Sequence, residues 1–140
     1  MDELGLEPYA VKLRIARPVS VPGAGFGSEV AGFIEAFAKR CAAEENALIG
    51  HIKGFAAGQD GSYLWVSVTD PRRFADVEGE IKGDPQSVML TLNVHVFGLS
   101  KKRIKALLTE TAADPAVRDR VRISPIEPLG LDGLTEEGEG

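Results

Sequence analysis

The sequence predicts an α+β two-layer sandwich: a four-stranded sheet, antiparallel or mixed, with helices on one face, in the order β-α-β-β-β-α. Three observations carry this expectation. Apolar and polar residues alternate over 9–17, 48–57, 63–68 and 87–98, the period of a strand with one buried face. Residues 29–45 and 100–111 instead repeat apolar side chains every three to four positions, the period of a helix lying on a core. Three strand signals in a row, between the two helical ones, favour antiparallel pairing.

The first strand is Tyr9 to Arg17, with Val11, Leu13 and Ile15 on one side and Lys12 and Arg14 on the other. Pro18 and Pro22 stop it, and the following loop leads to a helix that Ser28 is placed to cap. From Glu29 to about Glu45, Val30, Phe33, Ile34, Phe37, Cys41 and Ala42 share one stripe. Glu35 and Lys39 pair at i,i+4 opposite it, and Asn46 suits the C-terminal end.

Residues 48–70 read as a hairpin. In its first strand Gly50, Ile52, Gly54 and Ala56 oppose Ile49, His51, Lys53 and Phe55. The two glycines leave room for a helix, so their side is assigned to the core. In the return strand Leu64, Val66 and Val68 face the core, and Tyr63, Trp65 and Ser67 face away. Asp70 to Gln86 is a polar connection with room for a short edge strand around 75–81. Ser87 to Gly98 is the strongest strand signal and is expected at the sheet centre. Ser100 caps a second helix with the stripe Ile104, Leu107, Leu108 and Thr111. Asp114-Pro115 starts a short third helix, and Arg122 to Leu129 reads as extended.

A chain of 140 residues with 44% hydrophobic content is expected to form one domain, over 9–128, between an acidic lead (1–8) and a flexible acidic tail (129–140). The single cysteine, Cys41, excludes an intramolecular disulfide, and the absence of an apolar leader after Met1 points to the cytoplasm. No apolar run approaches the ~20 residues that cross a bilayer. The net charge of −5 comes from the ends: seven of the 21 acids lie in the lead and tail, leaving 14 against 16 basic residues. An anionic partner is therefore not excluded.

Most catalytic chemistries find no foothold. GAGFGS at Gly23–Ser28 sits between a strand and a helix, but Ser28 replaces the third glycine of a dinucleotide fingerprint, and no NTPase phosphate loop exists. No G-x-S-x-G elbow is present, and no acid is placed to orient a histidine. The chain is thus expected to be no enzyme and to need no cofactor. Cys41 lies on a core stripe; His51 and His95 are the candidate metal ligands, two where about three or four are needed.

If helices cover one sheet face only, the off-core residues mark a binding face: His51, Lys53, Tyr63, Trp65, Asn93, His95 and Phe97, flanked by Lys12, Arg14, Ser67 and Thr91. Such a face suits docking of a protein partner or of a second copy as a homo-oligomer. Two alternatives remain open. Aromatic side chains among cations also suit single-stranded nucleic acid, helped by the basic patch Lys101, Lys102, Arg103 and Lys105, although RNP signatures are missing. A metal-binding accessory protein using His51 and His95 is the other.

The segments ALIGHIK (47–53), YLWVSVT (63–69) and LNVHV (92–96), preceded by a strand and a helix, resemble the C-terminal domain of CobW-like GTPases, the cobalamin-synthesis and metal-chaperone family. The resemblance covers about Tyr9 to Leu108. His51 and Lys53 match its His-x-Lys element and Asn93 its asparagine, whereas His95 stands where the family carries a basic residue. The family's phosphate loop, magnesium-binding acid and Cys-x-Cys-Cys motif are absent. The resemblance therefore implies a free-standing, non-catalytic binding or regulatory module in metal homeostasis, docking on a GTPase or on a metalloenzyme-maturation partner.

Overall fold

A computed structural model describes residues 8–17, 26–83 and 85–128. The tail from 129 and the loop after Arg17 fall outside these, as do the acids of the lead. The elements in chain order are β1 (Tyr9–Ala16), α1 (Phe26–Ala42), β2 (Leu48–Ala57), β3 (Tyr63–Val68), β4 (Asp76–Glu80), β5 (Ser87–Phe97), α2 (Lys101–Ala113), α3 (Pro115–Arg118) and β6 (Arg122–Pro128). They form an α+β structure on one sheet, ordered β4-β3-β2-β5-β1-β6, with every neighbouring pair antiparallel.

The sheet has six strands where the sequence predicts four. β4, expected only as a short edge strand, joins beside β3, and the extended segment that becomes β6 pairs with β1. Neither carries a strong apolar alternation, because a strand held at an edge by ladder hydrogen bonds need not bury a face. All five residues of β4 are exposed.

β5 lies between β2 and β1, as its alternation predicts. Its Val88, Leu90, Leu92, Val94 and Val96 are at most 3% exposed. They meet Val11, Leu13 and Ile15 of β1, Ile52 and Ala56 of β2, Leu64, Val66 and Val68 of β3, and Val30, Phe33, Ile34, Phe37 and Cys41 of α1 in one core, whereas Ala42, expected on that stripe, is exposed at the last position of the helix. Helix α1 lies against β2 and β3, and α2 leans on α1. Burial of apolar surface at roughly 25 cal/mol per Å² drives this assembly, and the helices need only one sheet face to achieve it.

Of the two glycines expected to admit a helix, Gly54 does so: a Cβ there would stand 2.7 Å from Ile34 Cδ1 and 2.9 Å from Leu90 Cδ1. Gly50 does not. The pairing of β2 with β5 slips between Ile49 and His51, so Gly50 is the extra residue of a β-bulge. A Cβ on it would meet the His95 carbonyl at 2.9 Å and the Phe97 ring at 3.2 Å. The bulge also reverses the parity of the strand before it. Ile49 pairs with Val96 and packs on the core, against the expectation, while Leu48 pairs with Phe97.

Helix α1 begins two residues before Ser28, which therefore lies inside its first turn rather than capping it. Glu29, also in that turn, is only 7% exposed and ion-pairs with Arg120 at 3.2 Å. The helix ends at Ala42, and the turn beyond it passes through Asn46 at φ 68°. Ser100 caps α2 as expected, its hydroxyl accepting from the Arg103 N–H at 3.1 Å. Asp114 caps α3, accepting from the Ala116 N–H at 2.9 Å, and also accepts from the Arg40 guanidinium at 2.6 Å. That contact ties the last turn of α1 to the junction of α2 and α3.

Among the described residues, no helix is long and apolar enough to cross a membrane.

Candidate functional site

The strand register places the off-core residues in rows across one face of the sheet. Paired residues of neighbouring strands share a face, so each row can be read directly from the ladder. One row runs Glu78, Trp65, Phe55, Thr91, Lys12 from β4 to β1. The next runs Glu80, Tyr63, Ala57, Met89, Arg14, and on the other side lies Asp76, Ser67, Lys53, Asn93, Ala10. Beyond that, His51 sits opposite His95. The helices lie on the other face, so these rows are uncovered by the described residues.

Phe55 is the hub of an aromatic cluster. Its ring centroid is 4.7 Å from that of Trp65, tilted by 52°, and 5.9 Å from that of Tyr63. Pairs at such distances gain about 0.5–1.5 kcal/mol beyond their burial, which holds the rings in place. Phe55 is part-buried beneath its neighbours, while Trp65 and Tyr63 keep 41% and 51% of their surface exposed. A second apolar group, Leu48 and Phe97, lies beside the histidines. Leu48 is 66% exposed.

His51 and His95 stack with ring centroids 4.3 Å apart and planes 25° from parallel. Burial lowers the pKa of His51 from its ordinary value, and the positive charges available to His95 and Lys53 lower it further. The neutral imidazole is thereby favoured, the form that binds metal. Among the described residues, no group of three or more His, Cys, Asp or Glu is placed to hold a metal ion, so this pair supplies two ligands at most. Cys41 is fully buried in the core, and burial, reinforced by Glu44, pushes its thiol up to about 12. It offers no thiolate at neutral pH.

All seven residues read from the sequence as the binding face lie on this face. Lys12, Arg14, Ser67 and Thr91 join them. The basic patch does not. Helix α2 belongs to the helical layer, so Lys101, Lys102, Arg103 and Lys105 lie on the side of the molecule away from the rows. Arg103 is also engaged: its guanidinium donates to both carboxylate oxygens of Glu44, at 2.7 and 2.9 Å, and ion-pairs with Glu110 at 3.6 Å. The bond from Arg103 holds the Glu44 carboxyl below its ordinary range. This side chain clamps α2 to the turn after α1, a structural reason for a cation in the first turn of a helix.

Sequence reasoning missed Phe55 as the centre of the cluster, although its alternation placed it on the correct face. It also missed the acids. Asp76, Glu78 and Glu80 bring a row of carboxylates to the same face as Trp65, and their spacing of two was the available signal.

Compared with protein-family models, with curated proteins and with solved structures, the chain matches none.

Proposed function

We propose that this chain is a non-catalytic docking module that binds a protein through its uncovered sheet face, the role that a resemblance to the C-terminal domain of CobW-like GTPases implies. One observation carries the reading: Trp65 and Tyr63 stand 41% and 51% exposed on a rigid Phe55 base at the middle of an antiparallel sheet. A large, preordered aromatic surface costs little conformational entropy to dock, and such residues dominate binding energy at protein interfaces. The carboxylates of Asp76, Glu78 and Glu80 on the same face favour a protein over nucleic acid, because they would repel phosphates tracking past Trp65.

The test compares wild type with Trp65→Ala and His95→Ala by light scattering and by pull-down. Docking through this face predicts a lower mass or a lost partner in both variants. An unchanged mass together with an unchanged partner set in both variants rejects the reading.

The stacked histidines favour a second reading, a metal-binding accessory whose remaining ligands come from the docked partner. Zinc titration of wild type and His51→Ala decides it, since equal responses from the two proteins remove the pair as a site.

A further inference from the structure

The uncovered face has a direction, and the direction identifies an occupant. Over the five strands from β4 to β1 its carboxylates (Asp76, Glu78, Glu80) lie on β4 and its flanking cations (Lys12, Arg14) on β1, with the aromatic residues between, while the outermost strand β6 pairs Glu127 with Lys12. Four strand spacings separate β4 from β1, about 19 Å at ~4.8 Å each. The rows are aligned as well: Glu78 shares a row with Lys12, and Glu80 with Arg14, the row partners being joined through Trp65 and Tyr63.

Resting on the docking reading above, we infer that the occupant of this face is a second copy of the chain, related by a two-fold axis parallel to the strands and passing over β2. Among the five strands β4-β3-β2-β5-β1, β2 is the middle one. Rotation about it lays β4 of one copy over β1 of the other while keeping each row in place. Glu78 then faces the second copy's Lys12 row and Glu80 its Arg14 row, and both contacts occur twice. A two-fold axis perpendicular to the strands gives the opposite result, acids over acids and cations over cations. Two-fold packing of sheets at ~10 Å with aligned strands is a standard interface geometry, and it is self-complementary here only in the first orientation.

Two further features agree with association by the face rather than by the edges. The free edge of β4 carries its three acids, with Gly79 at φ 86°, and β6 contains Pro125 and Pro128, which lack the N–H a new strand would need. Phe55 and its two aromatic neighbours lie close to the axis, where buried anchors contribute most. Lys53 is the one like-charged contact near the axis. It borders the same shallow groove as Asp76 and Glu78, towards which its long stem can turn.

The experiment is sedimentation and light scattering across the micromolar range, with folding checked by circular dichroism. Wild type is expected at twice 14.9 kDa. Lys12→Glu/Arg14→Glu and Glu78→Lys/Glu80→Lys should each weaken the dimer by about tenfold or more, since each places like charges on both β4 and β1. An equimolar mixture of the two variants should recover dimer, as should the quadruple exchange in one chain. If a reversal fails to fold, Lys12→Gln and Glu78→Gln replace it, and dimerisation of the wild type must weaken as salt is raised. A wild type that stays monomeric, a mixture that does not reassociate, or a dimer indifferent to both the neutral variants and salt overturns the inference. A monomeric wild type that loses a captured partner on Trp65→Ala overturns only the second copy as occupant; no effect of Trp65→Ala on any binding overturns the docking reading itself.

Discussion

His51 and His95 lie directly opposite one another on β2 and β5, immediately after the bulge at Gly50, and their imidazoles stack at 4.3 Å. The bulge places two residues of β2 against one of β5, and a side chain on Gly50 would meet the His95 carbonyl and the Phe97 ring, so glycine fits the bulge that precedes the pair.

A pH dependence follows from that pair. Burial first, then His95 and Lys53, lower the pKa of His51 in the folded state. The unfolded chain therefore takes up a proton at about 6.5, before the folded chain does. The stabilisation linked to His51 is complete above that pH and is lost as the pH falls through the lower, folded value. Denaturant midpoints measured from pH 7.5 to about 5 should fall in wild type and fall less in His51→Gln. Equal slopes would show that the pair is not linked to folding. Glu44, Asp60, Asp70 and Asp114, whose pKa values hydrogen bonds lower, keep their full contribution above the ordinary carboxylate values of about 4 to 4.5 and so act below the pH range of this measurement.

Two glycine substitutions should have opposite signs. At Gly32, inside α1, an added Cβ meets nothing within 4 Å, so Gly32→Ala should stabilise the protein by about 0.5–1 kcal/mol through helix propensity alone. At Gly54 the same methyl would press on Ile34 and Leu90 at once, in a packed core. Gly54→Ala should cost about 1–3 kcal/mol, read from chemical denaturation. A neutral Gly54→Ala would mean that α1 does not press on β2 at this point.

The difference between what the sequence discloses and what it hides lies in how each residue is held. Residues 87–97 were legible because Val88, Leu90, Leu92, Val94 and Val96 alternate without interruption and are buried by that alternation. The same period of two put Tyr63, Trp65, His51, Lys53 and His95 on a common face. Ile49 was not legible, since one inserted glycine shifts parity by one residue and leaves no side chain to announce itself. β4 was legible only as room for a short edge strand around 75–81, because it is held by hydrogen bonds to β3 rather than by burial, and its acids look like solvated loop. Arg103 looked like part of a patch because its partner, Glu44, stands 59 residues away and no local rule connects them.

The cap of α2 can be tested independently of the face. Lys101, Lys102 and Arg103 put positive charge where the helix dipole is already positive. The Ser100 hydroxyl bond to the Arg103 N–H is thus a local feature that favours starting the helix there. Ser100→Ala should cost about 0.5–2 kcal/mol, and Ser100→Asp should recover it. Thermal unfolding of the three proteins checks the order, and a Ser100→Ala variant as stable as wild type would show that Arg103 and Glu44 alone hold the helix end.

Trp65 is the only tryptophan in the chain and stands on the docking face, so its fluorescence reports on that face without a label. At 41% exposure it should emit as a solvated indole and be quenched by acrylamide in the free protein. Docking of a second copy removes water from it. Emission should therefore move to shorter wavelength and quenching should fall as protein concentration rises. Phe55→Ala withdraws the ring that fixes Trp65, at 4.7 Å between centroids, and should weaken association about as much as Trp65→Ala, tenfold or more if the pair forms a hot spot. In that variant the emission should stay that of a solvated indole at every concentration. Emission independent of concentration in the wild type, measured over a range where scattering reports a dimer, would place Trp65 outside the interface and move the contact to another surface.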